Sequence, residues 1–538
     1  MKNFKISHIL VFTGSLLFAG YLVFIGASYW KTSHKDKDHD IVDSQPTTMN
    51  NQRSSGSSKS SKLRPNIVYI LADDLGYGDV GVYNKASKIS TPNIDRLAQQ
   101  GMIFTDAHSA DAVCTPSRYG ILTGDYGWRG SLKKGALGGY GKSIVEENSV
   151  TVAELLKQNG YSTAMSGKWH LGLDWAIKPE FQEAADSSKV QISDVGVVSQ
   201  LDPDWVDFGR APAGGPMDHG FDQTFILPAS LDIPPYLLMR NDQVAEPPTN
   251  RTKGSQLNSG YTGAFWRAGR VAPGFDFLDT LPAFVRYAES FIRDSSVDSP
   301  FFLYLAFSSP HTPWMATPEF DGVSGAGGYG DFVAMTDAMV GRVLRVLDEA
   351  GVSDNTIVLL TSDNGPYWPD ALADMYGHDA TAGLRGMKAD IWEGGHRIPF
   401  VVKWPGVVGE GTQSNSPIVQ TNFLATVADI LGVEHPKESG KDSVSMLGLL
   451  KGGEAISHPI VHHSARGYFA IRSGKWKLID GLGSGGFTRP TFVEPESGIP
   501  PLQLYDMEND PQETTNLADK FPSLAENLLL ELRKIRGF

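Results

Sequence analysis

Ile67-Val68-Tyr69-Ile70-Leu71 runs straight into Ala72-Asp73-Asp74. Five consecutive apolar residues, three of them β-branched, predict a strand buried on both faces. A half-exposed strand would alternate polar and apolar positions. Burial on both faces calls for helices above and below a parallel sheet. The chain around this stretch supplies them. Thr91-Pro92-Asn93-Ile94-Asp95-Arg96-Leu97-Ala98 predicts a helix with Thr91 as N-cap, Pro92 at its first position and Gly101 as its stop. Thr151 to Gln158 predicts a second helix, and Tyr161 to Met165 a second strand. Phe301 to Phe307 and Ile357 to Leu360 predict two more strands. Ala334 to Ala350 predicts an amphipathic helix with Met335, Met339, Val340, Val343, Val346 and Leu347 on one stripe. The fold class is therefore α/β, a large mainly parallel sheet sandwiched by helices.

Each strand is followed by chemistry. Asp73 and Asp74 follow the first, and Lys168-Trp169-His170 the second. His311 follows the third, and Asp363-Asn364 the fourth. Ligands in open α/β sheets bind beyond the carboxyl ends of strands, so all of these share one edge. Singly, each residue is an ordinary loop residue; four strands delivering them together make a candidate site. Three carboxylates on one edge repel unless a cation neutralises them. Asp73, Asp74, Asp363 and Asn364 offer only oxygen, which suits Ca²⁺ or Mg²⁺. Zinc is disfavoured without a thiolate cluster, and His458 and His462, separated by Pro459, follow none of these strands.

Cys114 is the only cysteine in 538 residues, which excludes disulfides within the chain. It opens Cys114-Thr115-Pro116-Ser117-Arg118, where Pro116 suits the first turn of a helix. Tyr119 to Thr123 continues that helix and Gly124 closes it. Cys114 thus meets the unpaired N–H groups of a helix start, and Arg118, one turn later, shares its face.

Cys-x-Pro-x-Arg followed by Tyr-Gly-Ile-Leu-Thr-Gly resembles the modification signature of the type I, formylglycine-dependent sulfatases of the alkaline-phosphatase-like superfamily. The resemblance runs from about Pro65 to the C-terminus. It implies that a separate formylglycine-generating maturation enzyme oxidises Cys114 to Cα-formylglycine. It implies that Asp73, Asp74, Asp363, Asn364 and modified Cys114 hold Ca²⁺, with Mg²⁺, or Mn²⁺ in some relatives, as runner-up. Lys168 and Lys388, the latter in Leu384-Arg385-Gly386-Met387-Lys388, match lysines that hold sulfate oxygens. Glu393-Gly394-Gly395-His396-Arg397 matches a further family stretch, in which His396 stands at a variable position without a role.

The mechanism so implied is sulfate-ester hydrolysis. A hydroxyl of the hydrated aldehyde attacks sulfur, with Asp363 as proton acceptor. Arg118 completes the site's cations, and Lys168 and Lys388 stabilise the sulfuryl oxygens in flight. His311 protonates the departing alcohol. His170 takes the proton of the second hydroxyl, sulfate leaves, and the aldehyde is restored. A plain serine or cysteine would keep a covalent sulfate with no internal route of release. The expected substrate is a sulfated poly- or oligosaccharide. The alternatives are a broad arylsulfatase, or a phosphonate or phosphodiester hydrolase with the same nucleophile. The loops Trp175–Pro248 and Thr249–Phe277 are placed to set specificity. Tyr236, His219 and His378 read more readily as packing and turn residues than as sugar contacts.

The remaining features concern location and organisation. A net charge of −14 and a pI near 5.4 disfavour nucleic-acid binding. Lys2 and Lys5 precede a mostly apolar stretch, Ile9 to Trp30, that reads as a signal peptide or a membrane anchor. The chain is thus expected to be exported to the periplasm or cell exterior, touching membrane only through residues 1–30. Residues 31–62 read as a polar linker. Residues 63–455 are expected to form the catalytic domain and 456–538 a smaller subdomain. The latter would hold a hairpin across Ser473-Gly474, a strand at Leu502–Asp506 and a helix at Pro522–Arg536. Its basic residues are expected to border the substrate cleft.

Overall fold

All eight residues of β1 (Asn66–Asp73) are buried, and they divide between two cores. Ile67, Tyr69 and Leu71 face one, while Val68, Ile70 and Ala72 face the other, the period of two that a strand imposes. The computed structural model describes residues 64–192, 196–255, 263, 265–295, 299–498 and 500–537. The export segment and the linker expected from sequence lie outside these. No helix among the described residues is long and apolar enough to cross a membrane.

The other strands of the large sheet are β2 (Met102–Phe104), β3 (Ser162–Lys168), β4 (Gln223–Leu227), β5 (Met239–Arg240), β6 (Gln243–Val244), β7 (Phe301–Pro310), β8 (Thr356–Ser362), β9 (Phe400–Lys403) and β10 (Thr412–Ser414). Their order is β6-β5-β4-β3-β7-β1-β8-β9-β2-β10. The centre, β4-β3-β7-β1-β8, is parallel. Antiparallel pairings occur only outside that centre. The carboxyl ends of β1, β3, β7 and β8 therefore share one edge.

One face of the sheet is covered by α1 (Pro92–Gln99), α4 (Thr280–Asp294) and α5 (Gly327–Glu349), through residues such as Leu97, Phe284 and Val343. The other is covered by α2 (Cys114–Thr123), α3 (Val152–Gln158) and α6 (Asn422–Leu431), through Ile121, Leu156 and Leu424. Two expectations are corrected here. Thr91 makes no side-chain cap to α1. Its hydroxyl instead accepts from Gly81 N–H at 2.9 Å and lies 3.3 Å from Asp95 Oδ1. Helix α5 starts at Gly327, not Ala334; Phe332 and Val333 pack in the core and extend the apolar stripe toward the N-terminus.

A second sheet is antiparallel, in the order β11 (Ile460–His463), β12 (Phe469–Ser473), β13 (Trp476–Asp480), β14 (Leu502–Asp506). Helix α7 (Pro522–Arg536) seals one face with Ala525, Leu528 and Leu532 against Ile471, Leu478 and Leu504. The opposite face packs Ala470, Ile479 and Tyr505 on Ile391 and Trp392.

Candidate active site

The backbone is shaped before the side chains arrive. Gly167 has φ +120°, and a Cβ there would meet the Ala306 carbonyl oxygen at 1.7 Å. Only glycine lets β3 approach β7 this closely just ahead of Lys168. Asp74 and His170 themselves take left-handed φ values of 67° and 58°. Such conformations in non-glycine residues cluster where surrounding structure enforces them for function.

All ten residues expected from sequence come together. Lys168 Nζ donates to Asp73 Oδ2 at 2.7 Å. Lys388 Nζ donates to Asp74 Oδ1 at 2.6 Å and to its Oδ2 at 2.9 Å. Arg118 Nε donates to Asp363 Oδ2 at 2.9 Å, and its Nη1 to the Lys168 carbonyl at 2.8 Å. Asn364 Nδ2 donates to Asp74 Oδ1 at 2.6 Å. His311 Nε2 lies 3.7 Å from Asp74 Oδ2. Ligand atoms of Asp73, Cys114 and Asp363 lie within 4.8 Å of one another, as do those of Asp73, Asp74 and His311. Asp74, Cys114, His170, His311 and Lys388 line a cleft of about 610 Å³; Asp73, Arg118, Lys168, Asp363 and Asn364 are buried.

Three carboxylates here balance three cations in a water-poor site, and that sets the proton affinities. Burial works to raise the Asp73 carboxyl, but Lys168, His311 and Arg118 outweigh it and hold it far below the usual carboxylate range. Burial, then the charge of Asp73, push the Asp363 carboxyl up. Burial pushes the Cys114 thiol up despite Lys168 and Lys388, so this sulfur is not a ready thiolate. Burial, then Lys168, hold His170 well below its ordinary value. His170 Nε2 donates to the Leu137 carbonyl at 2.8 Å, which leaves Nδ1 as a bare, buried acceptor. His311 Nδ1 donates to the Thr312 carbonyl at 2.6 Å, leaving Nε2 on the side of Asp74.

A hard cation fits these residues. Asp73 Oδ1 and Asn364 Oδ1 are buried acceptors without a hydrogen-bond partner, and every nearby donor atom from Asp73, Asp74, Asp363 and Asn364 that could bind a metal is oxygen.

Residues 65–202 and 255–433 match the Sulfatase family. The chain belongs to the sulfatase family. An N-acetylgalactosamine-6-O-sulfatase of Bacteroides thetaiotaomicron is 32% identical over 523 residues, spanning 90% of this chain and 96% of that protein. Human arylsulfatase A is 31% identical over 490 residues, spanning 88% and 87% of the two chains. A solved structure of a Bacteroides thetaiotaomicron sulfatase, from a core genetic locus for metabolism of multiple glycosaminoglycans, superposes with TM-score 0.73. It is 31% identical, over 89% of this chain and 100% of that one. This sulfatase is accordingly a hydrolase of sulfate esters, and its family implies a metal ion and a formylglycine.

One placement differs from expectation. The basic residues of the C-terminal sheet do not line the sulfatase's cleft. Lys477 is fully buried, 3.0 Å from Glu393 Oε1 and 2.7 Å from Glu513 Oε1. Arg472 pairs with Asp106 at 3.2 Å and Lys475 with Asp506 at 2.7 Å. The segments after β11 and β13 contribute Ala465 and Phe487 to the cleft instead. His396 has partners too, with Nδ1 3.0 Å from His108 Nδ1 and Nε2 3.1 Å from Lys477 Nζ. Tyr236 donates to the Arg267 carbonyl at 2.8 Å, His219 stacks near Trp169, and His378 bonds Asp79 at 2.8 Å. None of these three lines the cleft, whereas Asp232, Arg267 and Trp314 do. Asp232 lies in the loop Trp175–Pro248, expected to set specificity, without being singled out there. Arg267 lies in the loop Thr249–Phe277, also expected to set specificity, but nothing in the sequence singles it out, because only folding brings this side chain to the cleft.

Proposed function

We propose that this sulfatase removes sulfate from a sulfated carbohydrate, with formylglycine at position 114 and a bound Ca²⁺. The reading rests on one observation: Cys114, His170, His311 and Lys388, from separate segments, line one cleft over the buried side chains of Lys168, Asp73 and Asp363. Relatives named for sugar sulfates support the substrate class, the first being an N-acetylgalactosamine-6-O-sulfatase. The aldehyde, once formed by the maturation enzyme, supplies as its hydrate the nucleophilic hydroxyl that a buried, protonated thiol cannot provide. Asp73, Asp74, Asp363 and Asn364 would hold the cation, which would lower the pKa of a neighbouring hydroxyl.

The chain's own residues do the rest. Arg118 fixes Asp363 and the Lys168 backbone. Asp363 accepts the proton of the attacking hydroxyl. Lys168 and Lys388 turn toward the sulfuryl oxygens. His311 Nε2 delivers a proton to the leaving alcohol. His170 Nδ1, bare and kept neutral, takes the proton whose loss releases sulfate. Export through the segment at residues 1–30, cleaved or retained as an anchor, would bring the protein to polymeric substrates. Residues 63–455 would be the catalytic domain and 456–538 its subdomain.

Two measurements test this. Protein from its native source is digested with trypsin, and the peptide Leu97–Arg118 is weighed; no Lys or Arg interrupts it. The expected mass is that of the aldehyde, and an intact thiol in natively matured protein would sink the mechanism. Turnover of 4-nitrophenyl sulfate is then compared with that of the matching phosphonate and phosphodiester. Sulfate is expected to be preferred, and a preference for phosphorus would reassign the enzyme. Exhaustive chelation is expected to cost at least ~100-fold in turnover, restored by Ca²⁺. Unchanged activity in metal-free protein would remove the cation from the account.

A further inference from the structure

The leaving alcohol departs beside His311, so whatever carries it lies against the cleft wall next to that ring. Asp232 and Arg267 form this wall. Asp232 Oδ1 is 3.9 Å from His311 Nδ1, and its carboxylate takes a hydrogen bond from Arg267 Nη1. The same Nη1 is 3.2 Å from the Asp232 carbonyl, which also accepts from Arg267 N–H at 3.1 Å. The guanidinium lies 5.2 Å from the Phe265 ring centre. It is held at several points and still 30% exposed, whereas the Asp232 side chain is 7% exposed. Nε and Nη2 of Arg267 make no hydrogen bond among the described residues. Thr312, another polar residue of the cleft, already donates its hydroxyl to the Gly263 carbonyl at 2.8 Å.

Resting on the carbohydrate-sulfatase reading, we infer that Arg267, clamped by Asp232, is the specificity-determining residue for the leaving group. Its free N–H groups donate to hydroxyl oxygens of the sugar ring that carries the ester. Asp232 neutralises the guanidinium charge, which suits neutral hydroxyl acceptors and requires no second anion on the substrate. A guanidinium already fixed by a carboxylate loses little freedom on binding, so its hydrogen bonds add to affinity. Phe265, Trp314 and Phe487 supply the apolar walls beside it. An aryl or steryl sulfate has no hydroxyl beside the ester oxygen. Binding one desolvates Arg267 without pairing it, and an unpaired buried donor is how a site rejects an analogue lacking the hydroxyl.

The test uses the matured, metal-loaded protein and two probes, N-acetylgalactosamine 6-sulfate and 4-nitrophenyl sulfate. Arg267→Met is expected to lower the ratio of kcat/KM, sugar over aryl, by about 10–100-fold, the loss of one or two charge-assisted hydrogen bonds. The loss should appear mainly in KM for the sugar, because the bonds form in both ground and transition states. Arg267→Lys is expected to recover part of the ratio. Thermal unfolding of both variants is measured alongside. A parallel fall on both probes would overturn the inference, since Arg267 would then serve the fold or the reacting centre. An unchanged ratio would overturn it as well. Absence of turnover on both probes in the wild-type protein would show separately that the underlying sulfatase reading had failed, and this inference with it.

Discussion

Cys114→Ala is expected to abolish sulfate-ester turnover, a loss of at least ~10⁴-fold in kcat/KM, while the fold survives. The size of the effect follows from what remains in the cleft. Lys168, Lys388 and His311 can still bind and polarise a sulfate, but none of the three replaces the attacking oxygen. The fold should tolerate the change for equally concrete reasons. Cys114 is the first residue of α2, alanine is the best helix former, and the deleted sulfur lies at the cleft with the ligand atoms of Asp73 and Asp363, outside the two large apolar cores. The stability cost should stay below ~2 kcal/mol. Kinetics with 4-nitrophenyl sulfate and a denaturant titration check both halves. Cys114→Ser refines the result. Left unconverted, its hydroxyl can take the sulfuryl group but cannot expel it, so one burst of alcohol per active site should precede silence. Steady turnover by either variant would mean that position 114 does not carry the nucleophile.

Lys477→Met should be the most damaging single substitution outside the cleft. Its ammonium sits between two buried carboxylates, Glu393 Oε1 at 3.0 Å and Glu513 Oε1 at 2.7 Å. Arg397 Nε holds the other Glu393 oxygen at 2.7 Å. Burial opposes ionisation of Glu393, but Arg397 and Lys477 outweigh it and hold its carboxyl well below the usual range. Burial prevails at Glu513, which stays above the usual range in spite of Lys477. Methionine fills the volume of the lysine stem without its charge and leaves two carboxylates facing each other in a dry interior. Breaking a buried pair in this way costs about 3–5 kcal/mol, mostly as the penalty of the stranded charge. Denaturant midpoints at pH 7 measure it. Adding Glu513→Gln to Lys477→Met should recover part of the loss, because one stranded charge becomes a neutral amide. A loss below ~1 kcal/mol, or no recovery in the double variant, would show that the carboxylates simply take up protons.

The uneven legibility of the chain has physical causes. Runs such as Ile67–Leu71 and Phe301–Phe307 announced their strands because burial on both faces leaves no room for polar residues. The stripe from Met335 to Leu347 marked a helix because side-chain periodicity is local geometry. The start of α5 at Gly327 escaped, since glycine carries no periodic signal. Thr91 misled for a related reason: its hydroxyl accepts from Gly81 N–H and not from the N–H groups that open α1, and a sequence shows only the nearer choice. The basic residues around the Ser473-Gly474 turn were expected at the substrate, yet Lys477 turns inward to acids contributed by distant segments.

The sequence by itself determined the α/β class, the edge at which chemistry gathers, and the seven site residues that follow strands there, while Cys114, Arg118 and Lys388 came from motifs that resemble the sulfatase family. Those features are local: a strand end delivers its next residues to the same edge whatever the rest of the chain does. Only the tertiary structure decided which oxygens remain bare for a cation, which histidine nitrogen is free, and why burial disfavours ionisation of the Cys114 thiol. It also decided that Arg267 and Asp232 form the wall beside His311. These depend on burial and on distances between segments far apart in sequence. Charge and solvation act through space, so their outcome is set when the segments pack.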